Sequence, residues 1–205
     1  MKLIYVMDPQ CGWCHGNAQN MSEIQEEFRG KLEMELLIGG MWLAPNAPSG
    51  GENLSRYLQQ NGPRMSATTG AKVGEAYYEL AKDSSYTFSS LEACAAIVLV
   101  KETAPEQAFP FAKKVQEALF IKGDRLNNEE TYLTILKEMS LDTTTFEEQW
   151  MKEDNFSKTK AEIASIQGKV NGFPALLIQN ETNIEMLASG YFNLDGMRER
   201  LREML

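Results

Sequence analysis

The chain has 205 residues, 43% hydrophobic and 24% charged, the make-up of a globular protein with one substantial core or one domain carrying a large insertion. A net charge of −9 and a pI near 4.8 argue against a nucleic-acid backbone or an anionic membrane surface as the main partner. No stretch approaches the roughly 18 apolar residues of a membrane span, and the short run Leu3-Ile4-Tyr5-Val6-Met7 is too brief for a signal-peptide core, so the chain reads as cytoplasmic.

Residues 2–7 are apolar with β-branched Ile4 and Val6, and Asp8-Pro9 stops them, which predicts a short buried strand. From Cys11 to Phe28 the apolar residues follow helical spacing: Cys14, Ala18, Met21 and Phe28 share a face, with Ile24 beside them. Gly30-Lys31 closes that helix, and residues 32–38 predict a second strand. The Gly- and Pro-rich residues 39–51 form a loop, without the Gly-Lys-Ser/Thr ending of a phosphate loop. Helical spacing then dominates, in segments near 52–61, 66–82, 88–102, 106–121, 128–139, 144–153 and 156–168. Thr144 with Glu147, and Asn127 with Glu130, have capping-box spacing, and Pro110 should kink its helix or start a new one. After Gly168, residues 175–179 and 184–188 predict strands joined by a turn at 181–183, and Asn193 caps a last helix running to Leu205. Strands at both ends with helices between them predict one α/β domain built from the two termini, with a helical domain inserted in its middle.

Cys11-Gly12-Trp13-Cys14 is the strongest chemical signal. Thiol–disulfide exchange needs a thiolate nucleophile and a second thiol near enough to resolve the mixed disulfide. Two intervening residues at a helix start supply that geometry, and the helix N-terminus stabilises the thiolate. Cys11, at the helix tip, is expected to be exposed and to attack; Cys14, on the apolar face, is expected to be buried and to resolve. Two other readings use the same cysteines. A zinc site would have to recruit Cys94 and the only histidine, His15, in an unfavourable arrangement, so no metal is expected. Cys11-x-x-Cys14-His15 also matches the c-type haem attachment motif, but the strand directly upstream and the absence of an export signal and of a second histidine oppose it.

With Asp8-Pro-Gln-Cys-Gly-Trp-Cys-His-Gly after an N-terminal strand, and Val170-Asn-Gly-Phe-Pro174 before a late one, nearly the whole chain resembles the DsbA-like thioredoxin-fold oxidoreductases, in particular the FrnE-like branch, which includes cytoplasmic members. The resemblance implies a thioredoxin-like domain over residues 1–45 and 165–205, an inserted all-helical domain over 46–164, and a cis-proline beside the cysteines at Pro174. Gly12-Trp13 departs from the Pro-His pair of the strongly oxidising prototype, so that potential is not carried over. The implied activity is disulfide exchange with protein or small-molecule thiols, without a cofactor beyond the redox-active disulfide; glutathione is a candidate substrate, and no oligomeric state is implied. Relatives resembling hydroxychromene-carboxylate isomerases and kappa-class glutathione transferases use glutathione and typically place Ser where Cys11 stands; both cysteines here favour redox chemistry. A binding module whose cysteines hold metal is the third class.

The remaining site residues carry weaker expectations. If Phe173–Pro174 is cis, the Phe173 main chain can pair with an extended substrate segment beside Cys11; a trans proline opening a strand is the plainer alternative. Trp13 contacts substrate or covers the site. His15, one helical turn past Cys11, modulates the thiolate or sits in solvent. Asp8 relays protons to Cys14 or, the favoured reading, forms a turn with Pro9. Cys94, between alanines, reads as a small core residue. The helical insertion is expected to fold over the cysteine side.

Overall fold

The computed structural model describes residues 1–181 and 183–205. Strand β1 (Lys2–Met7), helix α1 (Gly12–Glu27) and strand β2 (Glu33–Ile38) form the expected β–α–β opening, with β1 and β2 parallel. Strands β3 (Ala175–Gln179) and β4 (Ile184–Ser189) complete a four-stranded sheet in the order β2-β1-β3-β4, with β3 antiparallel to both neighbours. Helix α9 (Leu194–Glu203) follows, and the Asn193 side chain accepts from Gly196 N as its cap. The turn expected at 181–183 includes Thr182, which lies outside the described residues.

Between β2 and β3 the chain is helical: α2 (Glu52–Thr69), α3 (Glu75–Leu80), α4 (Leu91–Thr103), a 3-10 turn at Pro105–Gln107, α5 (Ala108–Phe120), α6 (Glu129–Glu138), α7 (Thr144–Gln149) and α8 (Glu153–Ile166). The pleat of β1 sorts its side chains. Leu3, Tyr5 and Met7 enter a large core shared with α1 and the helical block, while Ile4 and Val6 join Ile166, Ala175 and Leu177 on the other face. Helix α4 is buried from Ala93 through Val100, so it runs through the middle of that core, and Cys94 is a buried part of it as expected. Among the described residues, no helix is long and apolar enough to cross a membrane.

The helix boundaries differ from expectation for physical reasons. Helix α2 continues through Pro63, forgoing only the bond that residue's missing N–H would have made, and ends at Gly70, whose φ of +75° suits a glycine cap. The single helix expected over 66–82 is therefore broken, and α3 starts only after Gly74. Pro110 lies in the first turn of α5, where a missing donor breaks no intrahelical bond. Neither expected capping box forms. Asn128, not Asn127, caps α6 by accepting from Glu130 N, and at α7 the Asp142 carboxylate accepts from Thr144 N and Thr145 N.

Candidate active site

Strand β1 delivers Asp8 to a tight turn in which Cys11 N donates to the Asp8 carbonyl at 3.1 Å. Cys11 is the N-cap of α1: its carbonyl accepts from Cys14 N at 3.0 Å and from His15 N at 3.1 Å, which sets Cys14 in the first turn directly behind it. Both are free thiols. Cys14 is fully enclosed, as expected, but Cys11 is only 5% exposed rather than open at the helix tip. The reason is tertiary: side chains from the 39–51 loop and the helical block rise around it, so Cys11 is reached through a cavity.

The two thiols are driven apart. The Cys14 thiol donates to Cys11, and with the main-chain N–H groups of Cys14 and Trp13 this holds the Cys11 thiol below its ordinary value against the opposing effect of burial. Burial first, then the bond to Cys11, push Cys14 well above its ordinary value. Cys11 is thus the group poised as thiolate. Iodoacetamide should label Cys11 with a pH midpoint below 9.0, the ordinary thiol value, and leave Cys14 unlabelled; peptide mass mapping across a pH series checks both.

The Phe173–Pro174 bond is cis, and the Cys11 thiol donates to the Phe173 carbonyl at 3.4 Å. Pro174 follows at once, its own carbonyl accepting from Gly190 N at 2.7 Å. Gly39 is a site residue that reading the loop by composition missed. A Cβ there would stand 2.2 Å from the Phe173 ring, so only glycine leaves that ring its present place beside the cis-proline. Its signal was the Gly-Gly pair directly after a strand.

A cavity of about 220 Å³ opens beside Cys11. Half-buried Trp13 lines it, with Met41 and Trp42 of the loop, Tyr57 and Met65 of α2, Tyr77 of α3 and Phe120 of α5. The helical block therefore does fold over the cysteine side, and Trp13 lies on the wall of the cavity. Apart from Cys11 itself, no lining side chain is an acid or a base; Gln10 and Asn61 are its polar members.

Asp8 and His15 depart from expectation. Asp8 makes the turn, its carboxylate accepting from Gln10 N at 2.8 Å, yet the residue is fully buried and the same carboxylate also accepts from Met41 N and, at 3.0 Å, from Ser90 Oγ. Burial raises its carboxyl against those bonds. What it offers Cys14 is a main-chain N–H, 3.5 Å from Sγ. His15 is not solvated: it is 8% exposed, stacked on Phe120 with ring centroids 4.7 Å apart, and its Nε2 lies 2.9 Å from the Lys72 carbonyl, which makes Nε2–H the donor. The sequence placed it one turn from Cys11 correctly; what it could not supply was the distant Phe120 ring. Among the described residues, no group of three or more His, Cys, Asp or Glu side chains is arranged to hold a metal.

Solved structures share the fold over the full chain length. A candidate protein disulfide isomerase from Nitrosomonas europaea superposes with a TM-score of 0.86 at 22% identity, covering 99% of this chain and 97% of its own. The cytosolic disulfide reductase DsbM from Pseudomonas aeruginosa gives 0.83 at 24% identity, covering 100% and 98%, and has also been solved with GSH. A 2-hydroxychromene-2-carboxylate isomerase is more distant, with a TM-score of 0.64 at 16% identity and coverage of 100% and 94%. At such identities the likeness speaks for the fold. No curated protein sequence matches the chain. The family model of the DSBA-like thioredoxin domain matches residues 2–202, and the chain belongs to that family.

Proposed function

We propose that this protein is a cytoplasmic dithiol oxidoreductase that exchanges disulfides with protein or small-molecule partners through Cys11 and Cys14. One observation carries the reading: Cys11 stands at the N-cap of α1 with the Cys14 thiol in the turn behind it, and the carbonyl before the cis-proline lies 3.4 Å from the Cys11 sulfur. Cys11 attacks the substrate disulfide, and Cys14 then attacks the Cys11 sulfur of the mixed disulfide and releases the substrate thiol. The Phe173 carbonyl, beside Cys11, accepts a hydrogen bond from the substrate main chain, and Trp13 forms one wall of the substrate's berth. Because the berth around Cys11 is mainly aromatic and apolar, with Gln10 and Asn61 as its polar members and no acidic or basic side chain, it favours partners with a bulky apolar group beside their disulfide over charged ones. Glutathione is then a recycling thiol rather than the preferred partner. The cytosolic location of the similar Pseudomonas reductase supports the compartment.

The test is equilibration of the protein in glutathione redox buffers, with the thiol and disulfide forms of the pair quantified by mass. A single transition between dithiol and intramolecular disulfide is expected, and its midpoint assigns the protein to reductase, isomerase or oxidant work. A pair that stays dithiol at every ratio, or that yields only a glutathione adduct on Cys11, would overturn the proposal.

A further inference from the structure

None of residues 86–90, which precede α4, lines the cavity beside Cys11, yet this segment holds two of its sides. One side is the 39–51 loop, which supplies Met41 and Trp42 to the wall. No residue from 41 to 50 is fully buried, so the loop keeps its place by hydrogen bonds more than by packing. Phe88 N donates to the Pro48 carbonyl and Gly50 N to the Tyr86 carbonyl, each at 2.8 Å. The Trp42 ring meets Phe88 edge-on, with centroids 6.3 Å apart. The other side is the turn that carries Cys11, where Gln10 Nε2 donates to the Ser89 carbonyl at 2.9 Å.

Ser90 joins the two sides. It is the N-cap residue of α4 and fully buried, but its hydroxyl accepts no hydrogen bond from that helix, the ordinary task of a serine there. Instead the hydroxyl donates to Asp8 Oδ1 at 3.0 Å and accepts from Trp42 N at 3.1 Å. Ser90 N also donates to the Trp42 carbonyl at 2.8 Å, so both main-chain groups of Trp42 are clasped by one residue. Asp8 Oδ1 accepts at the same time from Gln10 N, directly before Cys11. One hydroxyl therefore ties the turn of the attacking cysteine to the main chain of a wall residue.

We propose that Ser90 is a positioning residue for substrate selection, its hydroxyl fixing the Trp42 wall relative to Cys11 so that the berth favours disulfides flanked by an aromatic group. This rests on the function proposed above. Cys11 and Cys14 are set by α1, and the Phe173 carbonyl by the cis-proline, so none of them depends on Ser90. Loss of the hydroxyl leaves Trp42 N without its acceptor and lets the wall drift. The wall meets a part of the substrate that does not react. Its loss therefore weakens binding of the bulky substrate and leaves the chemical step as it was. A disulfide too small to reach the wall is unaffected.

Two disulfides test this: the disulfide-linked dimer of an acetylated Phe-Cys amide, and hydroxyethyl disulfide. Reduced protein is mixed with excess of either, quenched with acid and analysed by mass. The series gives a half-saturating concentration and a limiting rate for oxidation of the cysteine pair. The wild-type protein should prefer the aromatic disulfide. In Ser90→Ala its half-saturating concentration should rise about three- to tenfold, the worth of one interior hydrogen bond, with the limiting rate kept. Hydroxyethyl disulfide should react as with wild type. Ser90→Thr keeps the hydroxyl and should restore the preference. Trp42→Ala should lower the preference at least as much as Ser90→Ala, and the double variant no further, because one acts through the other. Trp42→Ala carries its arm whether or not Ser90→Ala folds. The positioning role is overturned by a wild-type preference in Ser90→Ala or Trp42→Ala, by an equal loss for both disulfides in Ser90→Ala, by additive losses in the double variant, or by Ser90→Thr behaving as Ser90→Ala. A wild-type protein whose cysteine pair is oxidised by neither disulfide would instead defeat the proposed function.

Discussion

Cys11→Ser is expected to abolish reaction with disulfides, whereas Cys14→Ser should still attack them and accumulate as mixed disulfides through Cys11. The asymmetry follows from position. Cys11 caps α1 at the mouth of the cavity, and Cys14 sits behind it with no path to solvent. Only the first can meet a substrate sulfur, and only the second can reach the Cys11 sulfur once it is occupied. Serine suits the test at position 14 because its hydroxyl can still donate to the Cys11 thiolate, the largest influence that lowers Cys11. Cys14→Ala removes that donor, so its Cys11 should titrate higher and trap partners more slowly than in Cys14→Ser. Cys94→Ser should retain full redox activity and lose about 1 kcal/mol of stability, from a hydroxyl placed in the fully buried α4. Non-reducing electrophoresis and insulin-reduction assays on the variants read all of this. Trapping by Cys11→Ser and not by Cys14→Ser would reverse the roles, and unchanged turnover in both would end the redox reading.

The sheet was legible because each strand is a short apolar run bounded by a breaker: Asp8-Pro9 after β1, Gly39 after β2, Gly172-Phe173-Pro174 before β3. The cysteine pair was legible because its chemistry is local, a spacing and a helix start. What surrounds it was not. The cavity walls come from Met41, Tyr57, Tyr77 and Phe120, residues from four separate segments with no shared spacing, and only tertiary packing brings them to Cys11. The same convergence buries Cys11, which local reasoning left exposed, and covers His15 with Phe120. Asp8 is the clearest case. Asp-Pro signals a turn in any sequence, but the acceptors' partners at Met41 and Ser90 lie in later segments and leave no mark at position 8.

That buried carboxylate carries the largest expected effect on stability. It ties the residues before Cys11 to the 39–51 loop and to the start of α4, so Asp8→Ala would strand the donors Gln10 N, Met41 N and Ser90 Oγ together. Each buried donor without an acceptor costs about 1–3 kcal/mol, and relief from burying a charge offsets part of the sum, so a loss of about 3–5 kcal/mol is expected. Asp8→Asn should lose less, about 1–3 kcal/mol, because one oxygen survives while its new NH₂ faces the Met41 N–H. The pH dependence has a definite sign. Burial raises the folded carboxyl above its ordinary 3.8, so its contribution is full below that value and is lost as pH rises through the folded pKa. Asparagine does not titrate, so the stability gap between wild type and Asp8→Asn should narrow over that rise. The negative charge also opposes the thiolate at Cys11, and its removal should move the iodoacetamide midpoint of Cys11 lower still. Urea unfolding across a pH series and the labelling profile measure the two effects separately. Wild-type stability in Asp8→Ala would show that the carboxylate does not anchor the site, and an unmoved midpoint in Asp8→Asn would show that its charge does not reach Cys11.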